Sequence, residues 1–161
     1  MINAPPYSQR DARWRDKYVG FSKFRFATDG CTVTALSSFL SYVYNEKLTP
    51  DIVNEKLKSV NAFSDGKKLG AGALLVWYRV PFVFPKLKYI KRVYNYSNTE
   101  VAWYVYGRKT PVMVEVNAAS IGAVRHWVLF LGSGKMVDPW TGTIKPTNTY
   151  PPTGHTIYQT V

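Results

Sequence analysis

The sequence predicts an α+β chain in which helices come first and an antiparallel sheet follows. Apolar residues recur at three- and four-residue spacing after Cys31, capping signals open further helices at Thr49 and Ser97, and β-type runs begin at Pro111. The chain has 161 residues and no repeat, low-complexity run or Gly/Ser linker, so one domain spanning 1–161 is the expectation. A hydrophobic fraction of 46%, with five Trp, twelve Tyr and eight Phe, is more than a disordered chain carries.

The first 30 residues lack periodicity and carry Pro5, Pro6, Gly20 and Gly30, which reads as an irregular lead anchored by its aromatics. From Cys31, the positions Val33, Ala35, Leu36, Phe39, Leu40 and Val43 describe an amphipathic helix ending near Asn45. A second helix has Thr49 as N-cap and Pro50 in its first position, with Ile52, Val53, Leu57 and Val60 inward and a stop by about Asn61. Gly66, Gly70 and Gly72 mark a loop, followed by a short helix from Ala73 to Trp77. Ser97 and Glu100 form a capping-box pattern that opens a third helix, stopped by Gly107. Strands are predicted over Pro111 to Val116, His126 to Leu131, Lys135 to Asp138 and Thr156 to Val161.

Cys31 is the only cysteine, which excludes an internal disulfide, and two histidines offer no cluster spaced for zinc, so neither metal nor cofactor is called for. The N-terminus has no basic start followed by an apolar run, and no apolar stretch nears the roughly 20 residues that span a bilayer. The expectation is cytoplasmic synthesis without a signal peptide and without an integral membrane segment. Lys and Arg number 21 against 10 Asp and Glu, and a net charge of +11 attracts polyanions, among them nucleic acid, membrane surfaces and bacterial cell wall. Charge alone does not choose among these, and a basic surface also serves solubility.

A thiol becomes a nucleophile when its thiolate is favoured, and a helix start supplies the partial positive charge and free N–H groups that favour it. Cys31 sits at such a start, behind Gly30, which leaves room for a substrate carbonyl. The bland alternative is a small packed residue. His126 opens an apolar strand, and Gly132-Ser133-Gly134 joins it to the strand ending in Asp138, so the two form a hairpin. Side chains alternate across a sheet, so His126 and Asp138 share a face only with a three-residue turn or a bulge; a two-residue turn at Ser133-Gly134 would put them on opposite faces. On one face they become diagonal neighbours, with Asp138 orienting the imidazole and the other ring nitrogen turned to Cys31. Taken singly, His126 reads better as a strand-end histidine and Asp138 as a turn cap.

The residues Tyr7-Ser8-Gln9-Arg10-Asp11 with Trp14, Gly30-Cys31-Thr32-Val33-Thr34-Ala35-Leu36, His126-Trp127-Val128, and Asp138-Pro139-Trp140 with Gly142 span nearly the whole chain. Their pattern resembles the bacteriocin-processing-peptidase-like branch of the papain-like cysteine peptidases. The resemblance implies a helix with the nucleophile at its N-terminus packed on an antiparallel sheet, with Cys31 as nucleophile, His126 as base and Asp138 as orienter. Arg125 stands where that group usually has Gly, and Arg25 stands six residues before Cys31, where its best-known members place the oxyanion-hole Gln. Gln9 is the substitute candidate, provided the lead folds back over the helix start; otherwise the Cys31 N–H must share the role with Thr28 or Asp29. An ionised Asp29 beside the thiol would oppose thiolate formation. Asp29, Arg125, Trp127 and Trp140 are the candidate substrate-binding residues.

The leading expectation is hydrolysis of a peptide or amide bond through an acyl-thioester on Cys31. Positive charge and the resemblance together favour peptidoglycan and a phage-type lysin, released to act on cell wall. A protein-processing cysteine protease would carry the same residues. A non-catalytic peptide- or glycan-binding module is the alternative outside catalysis, supported by the departures at Arg25 and Arg125. Nucleic-acid binding has Arg10, Arg13, Arg15, Lys17 and the Lys86 to Arg92 stretch in its favour but no recognised motif. His155 is a rival base with no carboxylate at hairpin spacing, read otherwise as a solvated turn residue.

Overall fold

A computed structural model describes residues 2–64 and 72–161. Four α-helices, at Phe26–Asp29 (α1), Cys31–Tyr44 (α2), Pro50–Ser59 (α3) and Asn98–Ala102 (α4), accompany six strands. The strands are β1 (Leu87–Val93), β2 (Val112–Ala118), β3 (Ala123–Gly132), β4 (Lys135–Asp138), β5 (Thr143–Pro146) and β6 (Pro152–Thr160). They form one sheet in the order β1-β6-β2-β3-β4-β5, and every neighbouring pair is antiparallel. The chain is therefore α+β, with most of its helical residues ahead of a six-stranded antiparallel sheet.

Helix α2 lies across β3 and touches β2 and β4, with Phe39 packed against Tyr158 of β6. It is not amphipathic as the apolar spacing predicts: every residue from Val33 to Ser41 is buried. Its hydroxyls make this tolerable, because a buried Ser can satisfy itself on the carbonyl of the preceding turn. Ser37 Oγ donates to Val33 O at 2.7 Å, and Ser41 Oγ meets Leu48 O at 3.2 Å. Asn45 in the left-handed region ends the helix, as the sequence suggests. In α3 Thr49 is the N-cap, although its hydroxyl bonds Asp51 rather than a backbone N–H, and Ile52, expected inside, is 43% exposed.

The lead is irregular except for α1, and it is tied down by Tyr7, Trp14 and Phe26, while Tyr18, Phe21 and Phe24 stay exposed. Gly66 and Gly70 lie outside the described residues. The short helix expected from Ala73 is a 3-10 turn at Trp77–Phe82 instead. Ser97 does cap its helix, its side chain accepting from the Glu100 N–H, but the helix widens to a π-turn at Trp103–Gly107 and the left-handed residue after it is Lys109, not Gly107. Strands β1 and β5 were not predicted. Among the described residues no helix is long and apolar enough to cross a membrane.

Of the two devices expected, the β3–β4 hairpin uses the bulge, and its turn has two residues rather than three. Ser133 and Gly134, at φ 54° and 66°, form a two-residue turn closed by the Gly132–Lys135 pair. A bulge between Phe130 and Gly132 then sets Phe130 opposite Met136, and this one-residue slip returns Asp138 to the face of His126. Beyond Asp138 the chain turns through Pro139 to Gly142 into β5, which pairs Asp138 with Thr143 and Met136 with Lys145.

Gly142 sits at φ 67°, and a Cβ there would come within 2.6 Å of Ser8 Cβ and 2.9 Å of Ser8 N. Both the conformation and the lead packed against it require glycine. Gly142→Ala is expected to destabilise the protein by about 1–3 kcal/mol, measured as a lowered urea midpoint with unchanged slope.

Candidate active site

Three elements deliver the predicted triad. Cys31 is the first residue of α2 and is half-buried, His126 lies near the start of β3 opposite Val116, and Asp138 ends β4. His126 is 2% exposed and Asp138 not at all. His126 Nε2 donates to Asp138 Oδ1 at 2.8 Å, which leaves Nδ1 for the thiol. The sulfur is within interaction range of the imidazole and of the Trp127 backbone N–H, and its aligned hydrogen-bond partner is Thr32 Oγ1 at 3.9 Å.

The charges in this cluster support one another. Burial pushes the Cys31 thiol up, but the hydrogen bond and positive charge of His126, then the Trp127 N–H and the Thr32 hydroxyl, outweigh it and bring the thiol below its usual value. Burial likewise works against a charged His126, yet Asp138 and Cys31 raise it to about 9. Asp138 is held well below the carboxylate range, burial being overcome by His126, Lys145 and the Trp140 N–H. Opposite charges on the sulfur and the imidazole would each favour the charged form of the other.

Gln9 is buried, and the lead does fold back: its N–H donates to Pro139 O at 2.8 Å and its Nε2 to Ala27 O at 3.1 Å, just before α2. Gln9 Oε1 is buried without a partner among the described residues. Ala27 O lies four residues before Cys31, and the Gln9 amide donates to that carbonyl. Gly30 is bare for a different reason from the one expected: a Cβ there would meet Phe26 Cδ1 at 2.5 Å, so its space serves the α1–α2 junction. Thr28 and Asp29 are exposed and bond each other, which leaves the Asp29 charge in water.

The other candidates divide. Arg125 is exposed, and strand alternation turns its side chain to the face of β3 opposite His126. Trp140 is partly buried beneath the Arg10 guanidinium, 3.5 Å from its ring centroid, and its N–H donates to Asp138 Oδ1 at 2.9 Å. The Trp127 ring, expected as a substrate platform, is instead 8% exposed between Trp77 and Arg92, and only its backbone reaches the sulfur. Arg25 pairs with Asp16 at 3.5 Å.

Two residues at the centre were not singled out from sequence. Lys145 Nζ donates to Asp138 Oδ2 at 2.6 Å, and Tyr150 OH donates to the same oxygen at 2.9 Å. The available signal was the hairpin after Gly142, in which Lys145 falls two residues beyond the partner of Asp138 and so on its face. His155, read as a solvated turn residue, is wholly buried on β6, and Glu100 of α4 supplies the carboxylate that hairpin spacing did not, at 2.8 Å. A pocket of about 230 Å³ lined by Tyr96, Val105 and Phe130 opens by Gly132, at the far end of β3 from His126, and contains none of the predicted site residues. Among the described residues no group of three or more His, Cys, Asp or Glu side chains could hold a metal ion.

In comparisons with family models, curated proteins and solved structures, nothing matches this chain.

The thiolate–imidazolium pair is bounded below by the lowered thiol and above by His126 at about 9. Iodoacetamide is expected to alkylate Cys31 well below pH 8.5, and His126→Ala to slow that reaction at neutral pH by about tenfold or more. Because the folded His126 value exceeds the ordinary 6.5, its contribution to stability is complete below that pH and is lost as pH rises through about 9.

Proposed function

We propose that this chain is a papain-like cysteine hydrolase that cleaves a peptide or amide bond. The observation that carries the reading is the placement of Cys31 at a helix start with its sulfur beside His126, whose other nitrogen is fixed on a buried Asp138. A helix bearing the cysteine, packed on an antiparallel sheet bearing histidine and aspartate, is also the arrangement that the resemblance implies.

The Cys31 thiolate attacks the scissile carbonyl carbon, and the carbonyl electrons move onto oxygen. The Cys31 N–H, at the first position of α2, is the first donor to that oxyanion, and the second N–H of Gln9 Nε2 is the candidate partner. Collapse expels the amine, which takes the proton from the His126 imidazolium and leaves an acyl-thioester on Cys31. A water then gives its proton to His126 and attacks the thioester, releasing the acid and restoring the thiolate–imidazolium pair. Throughout, Asp138 holds the ring so that Nδ1 faces the sulfur.

Peptidoglycan is the substrate class we favour. It is anionic, the chain carries a net charge of +11, and the Arg10 guanidinium lies over Trp140, whose backbone N–H reaches Asp138. Purified protein is expected to clear peptidoglycan suspensions and release free amines, with Cys31→Ala reduced by at least about 10³-fold. Full activity in Cys31→Ala would sink the mechanism. Turnover of protein substrates with no effect on peptidoglycan would redirect the reading to a processing protease.

A further inference from the structure

Asp138 is the one fully buried carboxylate among the described residues, and it receives four hydrogen bonds. His126 and the Trp140 N–H share Oδ1, while Lys145 and Tyr150 share Oδ2. Two donors on Oδ2 exceed what orienting His126 needs, and Tyr150 alone would satisfy that oxygen without bringing a second charge into the site. Lys145 also reaches Tyr150 OH, 3.4 Å away, and its side chain is 25% exposed, so the ammonium is drawn partly out of water.

We propose that Lys145, steadied by Tyr150, is a positioning residue that takes up part of the negative charge of Asp138 and so makes His126 readier to return its proton. The proposal rests on the hydrolase reading for its purpose but not for its test. A buried carboxylate paired with histidine alone binds the imidazolium proton tightly, which favours the thiolate but hinders protonation of the leaving amine. A cation on the far oxygen opposes the imidazolium and weakens that hold.

Other groups around His126 are few. Cys31 faces it from α2, Asp138 from β4, and the Tyr150 ring stands edge-on with centroids 5.9 Å apart. Arg125 precedes it and is exposed, and Arg10 lies over Trp140. Lys145 acts through Asp138 and stays protonated across the His126 titration, since its bond to Asp138 outweighs burial and raises it above 10.5.

The test is the titration of the His126 imidazole by NMR in histidine-labelled full-length protein. Lys145→Gln keeps a donor and removes the charge, and is expected to raise the His126 midpoint by about 0.5–1 pH unit. Lys145→Arg is expected to restore the wild-type midpoint, and Tyr150→Phe to move it less than Lys145→Gln does. An unchanged or lowered midpoint in folded Lys145→Gln overturns the proposal, because a purely structural bond survives that substitution. If Lys145→Gln fails to fold, Lys145→Met is titrated under the same criterion. No substrate is needed: an inactive protein whose midpoint rises upholds the role of Lys145 while the hydrolase reading fails, and an active one whose midpoint stays put removes Lys145 alone.

Discussion

A carboxylate taken wholly out of water costs several kcal/mol unless donors replace its hydration, and Asp138 obtains those donors from four separate stretches of chain. His126 comes from β3, the Trp140 N–H from the turn that follows, Lys145 from β5, and Tyr150 from the approach to β6. Each can arrive only when the hairpins are in one register, so a single buried charge couples local turn chemistry to the order of the sheet. The same turn receives the lead, through Gln9 N–H on Pro139 O and Ser8 against Gly142, and the lead in turn fixes the carbonyl of Ala27 just before the thiol. Geometry at the sulfur and burial of the aspartate are thus one constraint seen from two ends.

Much of this was legible in the sequence because its signals are local. A cysteine one residue after a glycine and at the head of a 3.6-period run reads directly as a helix start. The pairing of His126 with Asp138 followed from alternation alone: the need for a common face demanded an odd register, and the bulge between Phe130 and Gly132 supplies it. What escaped notice depends on tertiary context. Strand β1 carries Lys88, Lys91 and Arg92 among its apolar residues, so alternation is masked by the salt bridges of Lys91 and Arg92 with Glu100 and Glu115. Strand β5 has four residues, too few for a period to show, and with it went Lys145.

Helix α2 shows the opposite failure. Its serines and threonines read as a solvent face, yet Thr34, Ser37, Ser38 and Ser41 are buried. Ser37 and Ser38 bond the preceding turn and Ser41 bonds Leu48 O, while Thr34 Oγ1 is buried with no partner among the described residues; small side chains on these sides let α3 and the lead approach where an amphipathic helix would stay wet. The consequence for the site is rigidity: the thiol projects from the end of a rod enclosed by α3, the lead and the sheet.

The chain repeats its histidine arrangement, and the repetition shows what makes one copy a candidate for chemistry. His155 Nε2 meets Glu100 Oε2 at 2.8 Å and Lys91 meets the other Glu100 oxygen at 2.6 Å, just as His126, Asp138 and Lys145 are joined. Both imidazoles are buried on the same face of the sheet, Val114 of β2 lying between His155 and Val128. A histidine, an acid and a lysine are therefore not sufficient to define an active site. The difference lies at the remaining nitrogen: that of His155 is buried with no partner among the described residues, beside the ring of Tyr96, whereas that of His126 faces a thiol at a helix start. Of the two imidazoles, only that of His126 has a thiol within reach.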